Sequence, residues 1–172
     1  VPNKKLEDHL FLAEHYKRYI DERYRFIFVG KTDAMPAYYA MLRGMMAMFR
    51  MRPERFVFTG PLPDADLAAV YRASHAYVSL SEHEGFCAPL AEAMAMDVPI
   101  LAYAAGAVPE TLGGAGLMIT AKDYEPAAEL LGQVIYDEPL RARLIAGQRA
   151  RLSHFSAERV DDALRALVSR FS

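Results

Sequence analysis

Short apolar runs that end in glycine or a polar turn alternate along this chain with longer stretches in which apolar residues recur every three or four positions. The first pattern is that of buried strands, the second that of amphipathic helices. Leu6, Leu10, Ala13, Lys17 and Ile20 fall at helical spacing and predict a helix over 6–22, with Lys17 contributing its aliphatic stem. Residues 24–30 read as a buried strand closed by Gly30. Pro36 opens a helix that runs to Met48, its methionines and tyrosines expected as core filling. Arg52-Pro53-Glu54 breaks it, and 55–60 is the next strand, ended by Gly60. A helix over 67–73 follows, with Asp64 as its N-cap and Asp66 as an acid of the first turn. Residues 76–80 form a short apolar strand, and Leu90 to Ala95 are helix formers that accept Pro89 only in a first turn. Strands over 97–102 and 117–120 come next. From Tyr124 the character is helical only, over 125–136, 139–152 and 157–171, the last with Val160, Leu164 and Leu167 on one face. Strands alternating with helices predict an α/β fold: a Rossmann-like parallel sheet flanked by helices, with a helical C-terminal tail.

Bulk properties narrow the function. A chain of 172 residues, 53% hydrophobic and 24% charged, is that of one soluble globular domain with a real core. Its net charge of −2 leaves no basic footprint for nucleic acid and no polybasic patch for a membrane surface. Cys87 is the single cysteine, which excludes an internal disulfide and a cysteine-based zinc site and fits a reducing, cytoplasmic compartment. No apolar run is long enough to span a bilayer, and no signal peptide is expected.

The candidate chemistry gathers between Ser81 and Ala95, in a turn that leaves a strand at its carboxyl end and enters a helix. Ligands of open α/β sheets bind there, and the free N–H groups of a helix start favour an anion. Gly85 permits a turn or a close approach that a Cβ would obstruct. Glu84 and Glu92 stand eight residues apart, about two helical turns, so both carboxylates could face one cleft. Cys87 is either a buried, inert thiol or one whose pKa a helix N-terminus lowers. His83 is expected to bond locally. Asp64-Ala65-Asp66 has the spacing of a metal signature but sits at a helix start, where capping explains it. Glu110 could orient its loop or simply begin a helix. Gly113-Gly114-Ala115-Gly116 lacks the strand-before, helix-after setting of a phosphate fingerprint.

Glu84-Gly85-Phe86, Pro89-Leu90 and Glu92-Ala93-Met94-Ala95 resemble the Glu–seven residues–Glu signature of retaining GT-B-fold glycosyltransferases of the glycosyl transferases group 1 family. The resemblance implies roles. Glu84 would be the catalytic, sugar-side carboxylate and Glu92 the ligand of the ribose hydroxyls. The amides of Gly85, Phe86, Cys87 and Ala88 would cradle sugar and diphosphate, with Lys4 a diphosphate partner and Gly60 and Leu62 walling the base. Two positions depart from the family pattern: Cys87 and Asp97 stand where glycine is usual. The donor would be a UDP-, GDP- or ADP-sugar, handled with no metal and no other cofactor, and the transferred group a hexose. By the same resemblance residues 1–172 are a single nucleotide-sugar-binding domain, the second half of a GT-B fold. The first strand would be absent, leaving the middle of the sheet unfilled. The N-terminal acceptor-binding domain would be absent too, so the isolated piece is expected to be inactive and any peripheral membrane contact to run through the missing half. A non-catalytic Rossmann-like interaction or regulatory domain is the alternative. A glycosidase using Glu84 and Glu92 would need an oligosaccharide groove on one rigid scaffold.

Overall fold

The computed structural model describes residues 2–31, 35–156, 158, 159 and 161. Its strands are β1 (Phe26–Val29), β2 (Phe56–Gly60), β3 (Tyr77–Ser79), β4 (Ile100–Tyr103) and β5 (Leu117–Ile119). Its helices are α1 (Leu6–Tyr19), α2 (Pro36–Met48), α3 (Asp64–Ala73), α4 (Ala88–Ala95), α5 (Val108–Leu112), α6 (Tyr124–Tyr136) and α7 (Glu138–Leu152). Single 3₁₀ turns occupy Pro2–Lys4, Pro53–Arg55 and Ser153–Phe155. The strands pair in parallel, as the strand–helix alternation requires, but in two sheets: β1–β2, and β3–β4–β5. Among the described residues β1 and β3 are edges that do not pair with each other.

Helix α1 bridges the two sheets because its apolar residues divide between two cores. Leu10 and Ala13 pack with Tyr38, Leu42, Met46 and Phe56 over the first sheet. Leu12 and Tyr16 pack with Leu80, Leu101, Ala128 and Leu131 over the second. Between them lies buried His9, edge-on to the rings of Phe26 and Phe28 on β1, with Nε2 3.2 Å from the carbonyl of Val78 on β3. Its Nδ1 lies 3.0 Å from the Lys5 carbonyl. A third core, Leu90, Ala93, Met94, Ile100, Val108 and Leu112, joins α4 and α5 to the opposite face of β4.

Burial holds the His9 pKa below its ordinary 6.5, against the pull of the two carbonyls. A base with a depressed folded pKa contributes its full share of stability above the unfolded value and loses it as pH falls towards the folded one. Stability is therefore expected to fall as pH drops below about 6.5, by at most about 1.4 kcal/mol per pH unit from this residue, and the thermal midpoint with it. His9→Gln should flatten that segment of the curve; an unchanged slope would remove His9 as its source.

Several boundaries differ from expectation. α1 ends at Tyr19 rather than Glu22 because Asp21 turns back and accepts from the Arg23 amide at 2.7 Å. α3 starts at Asp64, so Asp64 is a first-turn acid beside Asp66 and not the N-cap. Extended Pro63 takes the cap position, its carbonyl accepting from Leu67 N–H. At α7 the cap is Asp137, whose carboxylate accepts from Leu140 N–H at 2.8 Å. The methionines of α2 fill the core at Met46, whereas Met41 and Met48 are 44% and 68% exposed. Asp97 adopts the left-handed backbone (φ 56°) that the turn before β4 asks for, and pairs with Arg149. The helix expected over 157–171 falls almost entirely outside the described residues. No helix of the described residues is long and apolar enough to cross a membrane.

Candidate functional site

After β3 the chain turns through Leu80–Cys87 and enters α4. The reversal is made at Cys87, whose backbone is left-handed (φ 58°, ψ 62°) and whose side chain makes no capping bond. The first amides of α4 are thus left uncapped by a side chain, as an anion seat requires. Gly85 has no positive φ, and a Cβ there would meet nothing within 4 Å. Geometry does not oblige a glycine at that position in this conformation, although the space beside it is open to a ligand. The crowded glycine is Gly106 (φ 55°), where a Cβ would lie 2.5 Å from the Glu84 carbonyl oxygen.

Two strips of backbone hold the turn. On one side the Asn3 carbonyl accepts from Glu82 N–H (3.2 Å) and Ser81 Oγ (2.9 Å), strapping the N-terminal 3₁₀ turn along it. On the other, Ala107 N–H donates to the Glu84 carbonyl (3.2 Å) and Thr111 Oγ1 to the Phe86 carbonyl (2.7 Å). The first strip delivers Lys4 to the site: its Nζ lies 2.5 Å from Glu84 Oε1, the carboxylate side chain 9% exposed and the lysine 44%. Glu82 pairs with Lys122 and Lys5, which hold its carboxyl below the usual carboxylate range. Lys122 also pairs with buried Asp8 of α1 and lies over the Tyr103 ring.

Glu92 is exposed on α4 and accepts from Tyr71 OH at 2.9 Å, while Glu84 is turned to Lys4. The two carboxylates therefore have separate partners. Burial first pushes the Tyr77 hydroxyl pKa up, and both carboxylates add to it, so both are within electrostatic reach of Tyr77. Cys87 itself is buried, and burial first, then the Glu84 charge, pushes its thiol up to about 11. Lys4 and the Leu90 amide at the helix start pull it down, but burial and Glu84 outweigh them. Phe86 is 52% exposed and meets Phe155 edge-to-face at 5.1 Å; Ala88 and His83 are exposed.

Gly60 (φ 73°) ends β2, its carbonyl accepting from Gly30 N–H, and Leu62 follows, half-buried. They belong to the other sheet, and no hydrogen bond or ion pair among the described residues ties them to the Glu84 turn. Glu110 lies in the first turn of α5. Sequence reasoning missed Lys122, Asp8, Thr111 and Arg151, which reach the site's supports across 25 to 114 residues and leave no periodic signal. Among the described residues no group of three or more His, Cys, Asp or Glu is arranged to hold a metal ion. What the arrangement offers is a cation and free amides beside one shielded carboxylate.

The family model described as glycosyl transferases group 1 matches residues 1–151. The O-antigen chain mannosyltransferase B of Escherichia coli is 33% identical over 101 residues, which are 59% of this chain and 26% of that protein. The MMP alpha-(1->4)-mannosyltransferase of Mycolicibacterium hassiacum is 35% identical over 104 residues, 58% of this chain and 25% of that protein. The chain thus spans about a quarter of the length of these curated relatives. Among solved structures, HepE of Anabaena in complex with UDP superposes with a TM-score of 0.82 at 20% identity, covering 99% of this chain and 46% of HepE. The C-terminal domain of the group 1 family protein LpcC of Francisella tularensis gives 0.74 at 22% identity, covering 89% and 80%. The α/β architecture with its parallel strands is that of GT-B glycosyltransferases.

Proposed function

The chain belongs to the glycosyl transferases group 1 family, and from that premise we propose that it is the donor-binding domain of a retaining glycosyltransferase. The enzyme moves a hexose from a nucleotide-diphosphate sugar to a glycan, lipid or other acceptor. The observation that carries this reading is the convergence of Lys4 and the uncapped start of α4 beside the shielded carboxylate of Glu84. A departing diphosphate develops negative charge while the anomeric carbon becomes positive, and a site accelerates the step by favouring both more strongly as they grow. Lys4 and the amides of Gly85, Phe86, Cys87 and Ala88 receive the diphosphate. Glu84 then exchanges its lysine partner for the sugar, orienting the hydroxyls and favouring the cationic carbon. Glu92 takes the ribose hydroxyls, and Gly60 and Leu62 wall the base. With the positive charge supplied by the chain itself, the scheme uses no metal. UDP bound to HepE supports a nucleotide ligand, and the mannosyltransferase names among the relatives support a hexose. The acceptor belongs to polypeptide beyond these residues, and the cytoplasm is the compartment where nucleotide sugars and a free thiol fit together.

Calorimetric titration of the chain with UDP, GDP and ADP tests the proposal. One nucleotide is expected to bind, weakly, and Lys4→Met to weaken it about tenfold, the ~1.4 kcal/mol of a charge-assisted contact. Sugar transfer by the 172 residues alone is not expected. Binding of none of the three would favour the alternative, a non-catalytic Rossmann-like interaction or regulatory domain.

A further inference from the structure

Arg151 lies in the last turn of α7, where a basic side chain ordinarily serves its own helix dipole. Here it serves a different helix. Its Nη2 donates to the Glu110 carbonyl at 2.6 Å and its Nε to the Thr111 carbonyl at 3.1 Å, two of the orphan carbonyls of α5. The place is shaped for the guanidinium: at Gly113 (φ 54°), the residue that closes α5, a Cβ would lie 2.7 Å from the Arg151 Nε.

We propose that Arg151 is a positioning residue for the Glu84–Ala88 turn, acting through α5 and through Phe155; this rests on the donor-site reading above. α5 has five residues, too few to hold itself as a helix, so its location is set by what grips its ends. Its N-terminal end is gripped by the turn, Ala107 N–H on the Glu84 carbonyl, and its C-terminal end by Arg151. In between, buried Thr111 passes that location to the turn through its hydroxyl on the Phe86 carbonyl. A second limb is aromatic. The guanidinium lies 4.9 Å from the centre of the Phe155 ring, and Phe155 meets the exposed Phe86 ring edge-to-face. One side chain on α7 thereby fixes both the backbone and the ring of the residue after Gly85. The fork is specific to arginine, since two carbonyls accept from two nitrogens of one plane and an ammonium cannot reproduce that geometry.

The test uses the 172-residue chain, with amide NMR spectra and nucleotide titration of Arg151→Met, Arg151→Lys, Thr111→Val and Met46→Ala. Met46 packs in the core over β1–β2, away from the turn, and serves as a destabilised control. Arg151→Met is expected to shift the amide resonances of Gly85, Phe86, Cys87 and Ala88. It should also weaken whichever of UDP, GDP and ADP binds by about tenfold, because a ligand-holding turn set slightly out of place is costly even when every group on it is retained. Thr111→Val should shift the same resonances. Arg151→Lys, which keeps charge and fold, should shift them less than Arg151→Met does. Met46→Ala should lower the thermal midpoint and leave the turn resonances as they are. The proposal is overturned if Arg151→Met leaves the turn resonances at their wild-type positions, or if Met46→Ala moves them equally. A wild-type chain that binds no nucleotide would defeat the donor-site reading alone, because the resonance shifts still decide whether Arg151 positions the turn.

Discussion

Gly106→Ala is expected to lower the stability of the chain by about 2–5 kcal/mol, a large loss for one methyl group. Two costs combine. The left-handed backbone (φ 55°) disfavours a Cβ by about 1–2 kcal/mol, and the new atom would lie 2.5 Å from the Glu84 carbonyl oxygen, overpacking that costs about 1–3 kcal/mol. A backbone oxygen cannot swing aside as a side chain would. Either the loop retreats, and Ala107 N–H loses its bond to Glu84, or the turn itself moves. Nucleotide affinity should fall with stability. Gly114→Ala separates the two costs: its φ is 84° and a Cβ there meets nothing within 4 Å, so only the backbone term remains. Urea unfolding of both variants is the measurement, and equal losses would show that the approach to Glu84 adds nothing.

Lys122→Met is the second large effect. Burial works against its cation, yet bonds to Asp8 and Glu82 outweigh it and hold the lysine pKa above the ordinary value. Removing it leaves the Asp8 carboxylate buried without its cation, a loss of about 3 kcal/mol, or about 6–12 °C in thermal midpoint at this size. Adding Asp8→Asn to Lys122→Met should recover part of the loss, because no unpaired charge then remains inside. A single-variant loss within about 0.5 kcal/mol would make Lys122 an ordinary surface lysine.

How far the sequence reveals this molecule follows from the range of each interaction. Apolar runs closed by Gly30 and Gly60 are local signals, and strands β1 and β2 lie within them. Helix starts are less legible. Asp64 looks like a cap, but Pro63 offers a fixed extended backbone and a carbonyl one residue earlier, and the helix begins there. A helix as apolar as α2, with Arg43 its only charge, looks buried on most faces, and only its neighbours in space decide that Met46 is inside and Met48 outside. The Lys4–Glu84 pair spans 80 residues and came within reach only through the family pattern. Nothing in composition or periodicity distinguishes Lys122 or Arg151 from solvated cations. For Cys87 the sequence left two outcomes open, and the balance turned on burial and a neighbouring carboxylate, which a one-dimensional pattern does not contain.

The break between β1 and β3 has a mechanical consequence. A continuous hydrogen-bonded sheet transmits opening across its whole width, whereas here the ladder stops and α1, packed on α2 and on α6, carries the coupling. Such a molecule has a seam along which one part can breathe without the other. The β1–α2–β2 unit can loosen while β3, α4 and the Glu84 turn keep their shape, so amide exchange in the two sheets is expected to follow separate courses.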